Sequence, residues 1–175
     1  MDPLKAARHG REAAFLQLFD EHHPALFRFA YRLTGSVADA EDIVQECFLG
    51  LLRPTCSYDP ARAPVRTYLF GVVRNQSLKR RRQTDWQGES ASHDRSPESE
   101  LLRAELQDVV AGAVMQLPET QREVLILAHY EQMPLSEIAQ VMSLELGAVK
   151  SRLQRARAGL KEALAAYAAS PERNK

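Results

Sequence analysis

Residues 135–161 read LSEIAQVMSLELGAVKSRLQRARAGLK, and the spacing of apolar and basic residues in this stretch decides the fold. Leu135 to Met142 forms one short amphipathic segment, and Ser143-Leu144-Glu145 breaks it. From Leu146 onward, Val149, Leu153, Ala156, Leu160 and Leu164 recur at the three- and four-residue spacing of one helix face. Lys150, Gln154, Arg157 and Lys161 then point outward, with Ser151 and Arg155 beside them. Between Gly147 and Lys161 there are five basic residues and no acid. A short helix, a tight turn and a second helix that is basic near its start make the helix-turn-helix pattern, whose second helix can enter the major groove of DNA. A solvated helix in an ordinary bundle is the competing reading. It explains neither the missing acids nor small Ala139 at the expected crossing.

The rest of the chain is helical by the same criterion. Leu117-Pro118-Glu119 opens a helix that carries Val124, Leu125 and Leu127. Farther upstream, Ser36-x-x-Asp39 has the form of a capping box. Behind it Ala40, Ile43, Val44, Cys47, Phe48 and Leu51 line one face, and Asp42, Gln45 and Glu46 lie off it. Pro54 stops this helix. An earlier helix is expected from about Arg11 to Leu33, bent near Pro24 and ending before Gly35. A third starts near Pro64 and runs through Lys79-Arg80-Arg81-Arg82. No segment alternates as a strand does, so the fold class is all-α.

Composition adds limits and one misleading balance. The 175 residues hold 23 basic and 23 acidic side chains, 45% hydrophobic residues and two cysteines, Cys47 and Cys56. These values fit a folded chain of one medium or two small domains. Two cysteines are too few for a disulfide scaffold or a four-ligand zinc site. There is no apolar run of membrane-spanning length, and Met1 to Lys5 lacks the pattern of a signal peptide, so a cytoplasmic chain without membrane insertion is expected. Zero net charge argues against a nucleic-acid binder only if charge is spread evenly. It is not: residues 1–85 carry a net +3, residues 86–112 a net −4 and residues 113–175 a net +1. Gln83 to Glu100 is almost free of apolar side chains and cannot offset its ordering entropy by burial. The expected organisation is therefore two small helical domains, 1–85 and 112–175, joined by a flexible linker at 86–111.

These residues resemble a known family. Leu117-Pro118, Glu123-Val124-Leu125, Leu135 to Ala139 and Gly147 to Arg157 are similar to the promoter −35-reading domain of bacterial RNA polymerase sigma factors. Phe19-Asp20 to Arg32, Ala40 to Glu46 and Tyr68-Leu69 to Arg74-Asn75 resemble the domain that binds core RNA polymerase and the −10 element. Two such domains joined directly look like the extracytoplasmic-function (ECF) group of the sigma-70 family. The resemblance implies a factor that directs core RNA polymerase to specific promoters, an anti-sigma factor as a further partner, and a linker that threads through the polymerase.

It also implies roles for particular residues. Asp42, Gln45 and Glu46 would contact core polymerase, where complementary charge favours fast association and correct register. Tyr68, Arg74, Asn75, Lys79 and Arg80 would meet the −10 DNA, since aromatic rings among cations suit separated strands. Lys150, Ser151, Gln154 and Arg155 would touch base edges of the −35 element, and Arg152 and Arg157 its phosphates. The chain departs from the family pattern in several places. Tyr68 stands where Trp is frequent, Lys79 where Asp is, Ser143 where a turn Gly is, Glu145 where a capping Ser or Thr is, and Ala148 where Thr is.

Other readings have less behind them. A helix-turn-helix regulator acting without polymerase would need a dimerisation surface that the N-terminal half does not advertise. A purely helical interaction protein leaves the basic face unexplained. A metal enzyme built on Glu21-His22-His23 lacks partners, because adjacent helical histidines point about 100° apart. There is no nucleophile–base constellation and no phosphate-cradling glycine loop, so no enzyme activity, no metal and no cofactor are expected.

Overall fold

The computed structural model describes residues 12–87 and 101–169, with side chains for 12–83 and 107–169. Seven α-helices and one π-helical turn account for most of them, and no β-strand occurs among the described residues. The chain divides into two compact units.

The first is a three-helix cluster of α1 (Glu12–Thr34), α2 (Val37–Leu52) and α3 (Val65–Gln87), each packed on the other two. Helix α1 buries Leu18, His22, Leu26, Phe29, Ala30 and Leu33, a stripe at helical period that sets which face turns inward. Pro24 lies inside it, on the exposed side. The helix ends where Gly35 takes φ 72°, a left-handed angle that costs glycine little, and Gly35 N–H donates to the Tyr31 carbonyl at 2.7 Å. One residue later Ser36 starts α2: its Oγ accepts from the Asp39 N–H at 3.2 Å. That is half of the expected capping box, because the Asp39 carboxylate is engaged elsewhere, as described below.

Aromatic rings tie the cluster together. Phe29 of α1 meets Phe70 of α3 with ring centres 5.2 Å apart, and Phe19 of α1 meets Phe48 of α2 at 4.8 Å. Phe29, Phe48 and Phe70 are almost fully buried. Burial of each stabilises the unit by about 1.5–3 kcal/mol relative to an exposed ring. Along α1, residues four apart also stack: Phe19 on His23 (4.6 Å), His23 against Phe27 (6.2 Å) and Phe27 against Tyr31 (6.4 Å). His22 points inward and His23 joins the stack, and no group of three metal-ligating side chains occurs among the described residues.

The second unit contains α4 (Leu101–Gln116), α5 (Glu119–Leu125), a π-helical turn (Ile126–Tyr130) and α7 (Leu146–Ala168). Helix α6 (Leu135–Met142) precedes α7 in the chain. Helices α4 and α5 pack against α7. The core includes Val114, Leu117, Val124, Leu125, Ile126, Leu127, Ile138, Val149, Leu153 and Ala156.

Two features differ from expectation. Helix α4 begins at Leu101, inside the stretch assigned to the linker, because apolar residues return there after the Ser- and acid-rich run. Half of that linker, residues 88–100, lies outside the described residues. The helix opened by Glu119 also changes register at Ile126, where Glu131 N–H donates to the Ile126 carbonyl five residues back.

Candidate nucleic-acid and polymerase interface

The turn between α6 and α7 is built from main-chain hydrogen bonds. Leu144 N–H donates to the Ala139 carbonyl at 2.9 Å and Ser143 N–H to the Gln140 carbonyl at 3.2 Å, the paired bonds of a Schellman cap. The cap needs a left-handed residue, and Ser143 supplies it at φ 53°. Glu145 caps α7 through its backbone position alone, with no side-chain hydrogen bond. Ser143 and Glu145 thus hold the turn without the Gly and the capping Ser or Thr that the sequence resemblance leads one to expect.

Helix α7 sorts its side chains as its sequence period requires. Val149, Leu153 and Ala156 are buried, while Leu160 and Leu164 are half-buried nearer the end. Lys150, Gln154, Arg155 and Arg157 are exposed, and Ser151 and Arg152 are half-buried. By helical geometry Lys150, Gln154 and Arg157 share a face, Ser151 and Arg155 border one side of it, and Arg152 lies across the helix. Arg157 Nε donates to His129 Nε2 of the π-helical turn at 3.4 Å, a contact with no counterpart in the sequence pattern. A convex helix face with exposed cations and one amide can read base edges and grip phosphates.

In α3, Tyr68, Asn75 and Lys79 fall on one helix face, and Asn75 and Lys79 are exposed. Tyr68 is half-buried: its ring lies 5.1 Å from that of Tyr58, and its hydroxyl is 3.5 Å from Cys56 Sγ. Burial, then the hydrogen bond to Cys56, pushes the phenol above its usual range, so it stays neutral. Arg74 is half-buried on another side of the helix. Cys47 sits in the core, where burial pushes its thiol up to about 12 and leaves it unreactive.

Arg80 takes a different direction. Its Nη1 is 3.3 Å from Asp39 Oδ1 and its Nη2 3.7 Å from Asp42 Oδ2, so the basic run of α3 is linked to the acids of α2. On α2 itself Asp42, Gln45 and Glu46 are exposed, and Glu46 Oε1 accepts from Arg53 Nη2 at 2.9 Å. Leu49 is exposed on the same side. Arg53, Asp39 and Leu49 were not anticipated as parts of this face. The spacing Glu46 to Arg53, two helical turns, and a leucine outside the apolar stripe were the signals available.

An exposed acidic face on α2 and an exposed basic face on α7, set behind a tight turn, are the arrangement of a transcription factor that meets both a protein partner and DNA. The family models agree: Sigma-70 region 2 matches residues 18–87 and Sigma-70, region 4 matches residues 107–160. The ECF RNA polymerase sigma factor SigL of Mycobacterium tuberculosis is 38% identical over 150 residues, which cover 81% of this chain and 84% of that one. Among solved structures, CnrH in complex with the cytosolic domain of CnrY superposes with a TM-score of 0.73 at 29% identity, over 94% of this chain and 96% of that one. The sigma factor RpoE of Bartonella quintana, in complex with the anti-sigma factor NepR, gives 0.68 at 27% identity, over 86% and 96%. The chain belongs to the ECF group of the sigma-70 family of RNA polymerase sigma factors.

Proposed function

We propose that the protein binds core RNA polymerase and directs it to a restricted set of promoters. The observation that carries this reading is the presence in one chain of an exposed acidic face on α2 and an exposed basic face on α7. Residues 1–85 act as the polymerase- and −10-binding domain, with Asp42, Gln45 and Glu46 meeting polymerase. Tyr68, Arg74, Asn75, Lys79 and Arg80 serve the −10 DNA. Residues 112–175 act as the −35-binding domain, with Lys150, Ser151, Gln154 and Arg155 at base edges and Arg152 and Arg157 at phosphates. Residues 86–111 join the two. The role is non-catalytic and cytoplasmic; no described helix is long and apolar enough to cross a membrane. An anti-sigma factor is the expected regulator, since CnrH and RpoE were each solved with such a partner or a cytosolic domain bound.

Transcription reconstituted from the purified chain and core polymerase tests the proposal. Promoter-specific transcripts from genomic fragments are the expected result. DNA binding with no transcript would instead identify a regulator that works without polymerase.

A further inference from the structure

Helix α2 buries Ile43, Val44, Cys47, Phe48 and Leu51 against its neighbours. Leu49 has no part in that core: 49% of it is open to solvent. Single exposed leucines are ordinary. What sets this one apart is its position. At 3.6 residues per turn, Leu49 lies two turns beyond Asp42 and one beyond Gln45 and Glu46, on the same line of the helix surface.

Three of the acids around it already have cationic partners. Arg80 stands against Asp39 and Asp42, and Arg53 against Glu46. A partner that docks on charge alone must replace pairs the chain already makes, and exposed ion pairs contribute little net free energy. Such charges set encounter rate and register, whereas binding energy concentrates in a desolvated side chain ringed by polar groups. Leu49 is the large apolar side chain within this ring. We propose that Leu49 is the apolar anchor of the polymerase-binding face, inserting into an apolar pocket of core RNA polymerase. Asp39, Glu41, Asp42 and Glu46 outnumber Arg53 and Arg80, so the face is net negative and the rim of the receiving pocket is basic. This inference rests on the polymerase-binding reading above and names the side chain that drives it.

The test measures the affinity of the full-length chain for purified core polymerase. Leu49→Ser weakens binding at least about 30-fold, the scale of a buried hot-spot side chain. Leu49→Met, which keeps bulk and hydrophobicity, stays within about threefold. Both variants melt at the wild-type temperature, and both bind −35 duplex like wild type. Wild-type affinity in Leu49→Ser overturns the proposal while the polymerase reading stands. Failure of the wild-type chain itself to bind polymerase overturns both. A wild-type homodimer that Leu49→Ser dissociates, with polymerase affinity unchanged, assigns the leucine to a second copy of the chain and overturns the proposal as well.

Discussion

Arg80 and Asp42 belong to surfaces with opposite expected partners, yet Arg80 Nη2 lies 3.7 Å from Asp42 Oδ2, and Nη1 lies 3.3 Å from Asp39. A side chain assigned to −10 DNA is therefore held in the unbound chain by the helix assigned to polymerase. Arg80 is 40% exposed, Asp39 29% and Asp42 64%, so water screens the cluster and its worth is small. A double-mutant cycle on Arg80→Gln and Asp39→Asn should give a coupling below about 1 kcal/mol that fades at high salt. Asp39→Asn should also raise the free chain's affinity for single-stranded −10 DNA by about two- to threefold, because one competitor for the guanidinium is removed. Titration of labelled oligonucleotide checks this, and unchanged or weaker binding would refute it.

Ser143 is strained by its turn. A non-glycine residue in the left-handed region costs free energy that glycine largely avoids, less the entropy glycine loses on folding. Ser143→Gly should stabilise the turn between α6 and α7 by about 0.5–1 kcal/mol, and Ser143→Val should destabilise it by more than that. Urea unfolding of the full chain, followed by a probe on α7, gives both values.

The start of α2 depends on one hydroxyl. Ser36→Ala removes the acceptor for the Asp39 N–H and should cost about 1 kcal/mol, and Ser36→Asp should restore most of it. Thermal melts of the two variants decide this. Equal stability of the alanine variant and wild type would show that Ser36 does not fix the helix start.

His22 makes the first unit sensitive to acid. Burial pushes its imidazole below 6.5, and Arg66 adds to this while Glu21 opposes it. Below pH 6.5 the unfolded chain then binds a proton that the folded chain resists, so stability is fully present above 6.5 and declines as pH falls through the lower folded value. Replacing the ring by His22→Gln should flatten this dependence between pH 7 and 5, as read from urea midpoints. A wild-type midpoint that rises on acidification would contradict the assignment.

The α7 face divides by exposure as well as by charge. Arg155→Ala should cost about 1–3 kcal/mol on the preferred −35 sequence and relax its preference at one base pair. Arg152→Ala should weaken all duplexes alike and lower the salt dependence. Competition binding with single-base variants of the site separates the two outcomes.

Much of this architecture was legible because its signals are local. The apolar period of α2 and α7, the stops at Gly35 and Pro54 and the break at Ser143 each act within a few residues, and each lies where the sequence indicates. The π-helical turn was not legible, since Ile126 and Leu127 are buried in a register that no helical period announces. Nor were the Arg80 and Arg157 contacts, which join residues 38 or more and 28 apart in the chain. Such pairings are fixed by packing rather than by local pattern. Tyr68 shows the same limit: its place on the face was readable, but its burial beside Tyr58 and Cys56 was not.

The cap between α6 and α7 is made of peptide groups, and the outward side chains of α7 take no part in it. Frame and lettering are thus separable. With base reading on α7 as proposed, exposed Lys150, Gln154 and Arg155 can be rewritten without disturbing the buried stripe that seats the helix, and a gene duplicate would acquire new promoters by surface changes alone. The same separation makes this chain a scaffold for retargeting, in which a handful of exposed positions on one helix is exchanged and the rest is left as it stands.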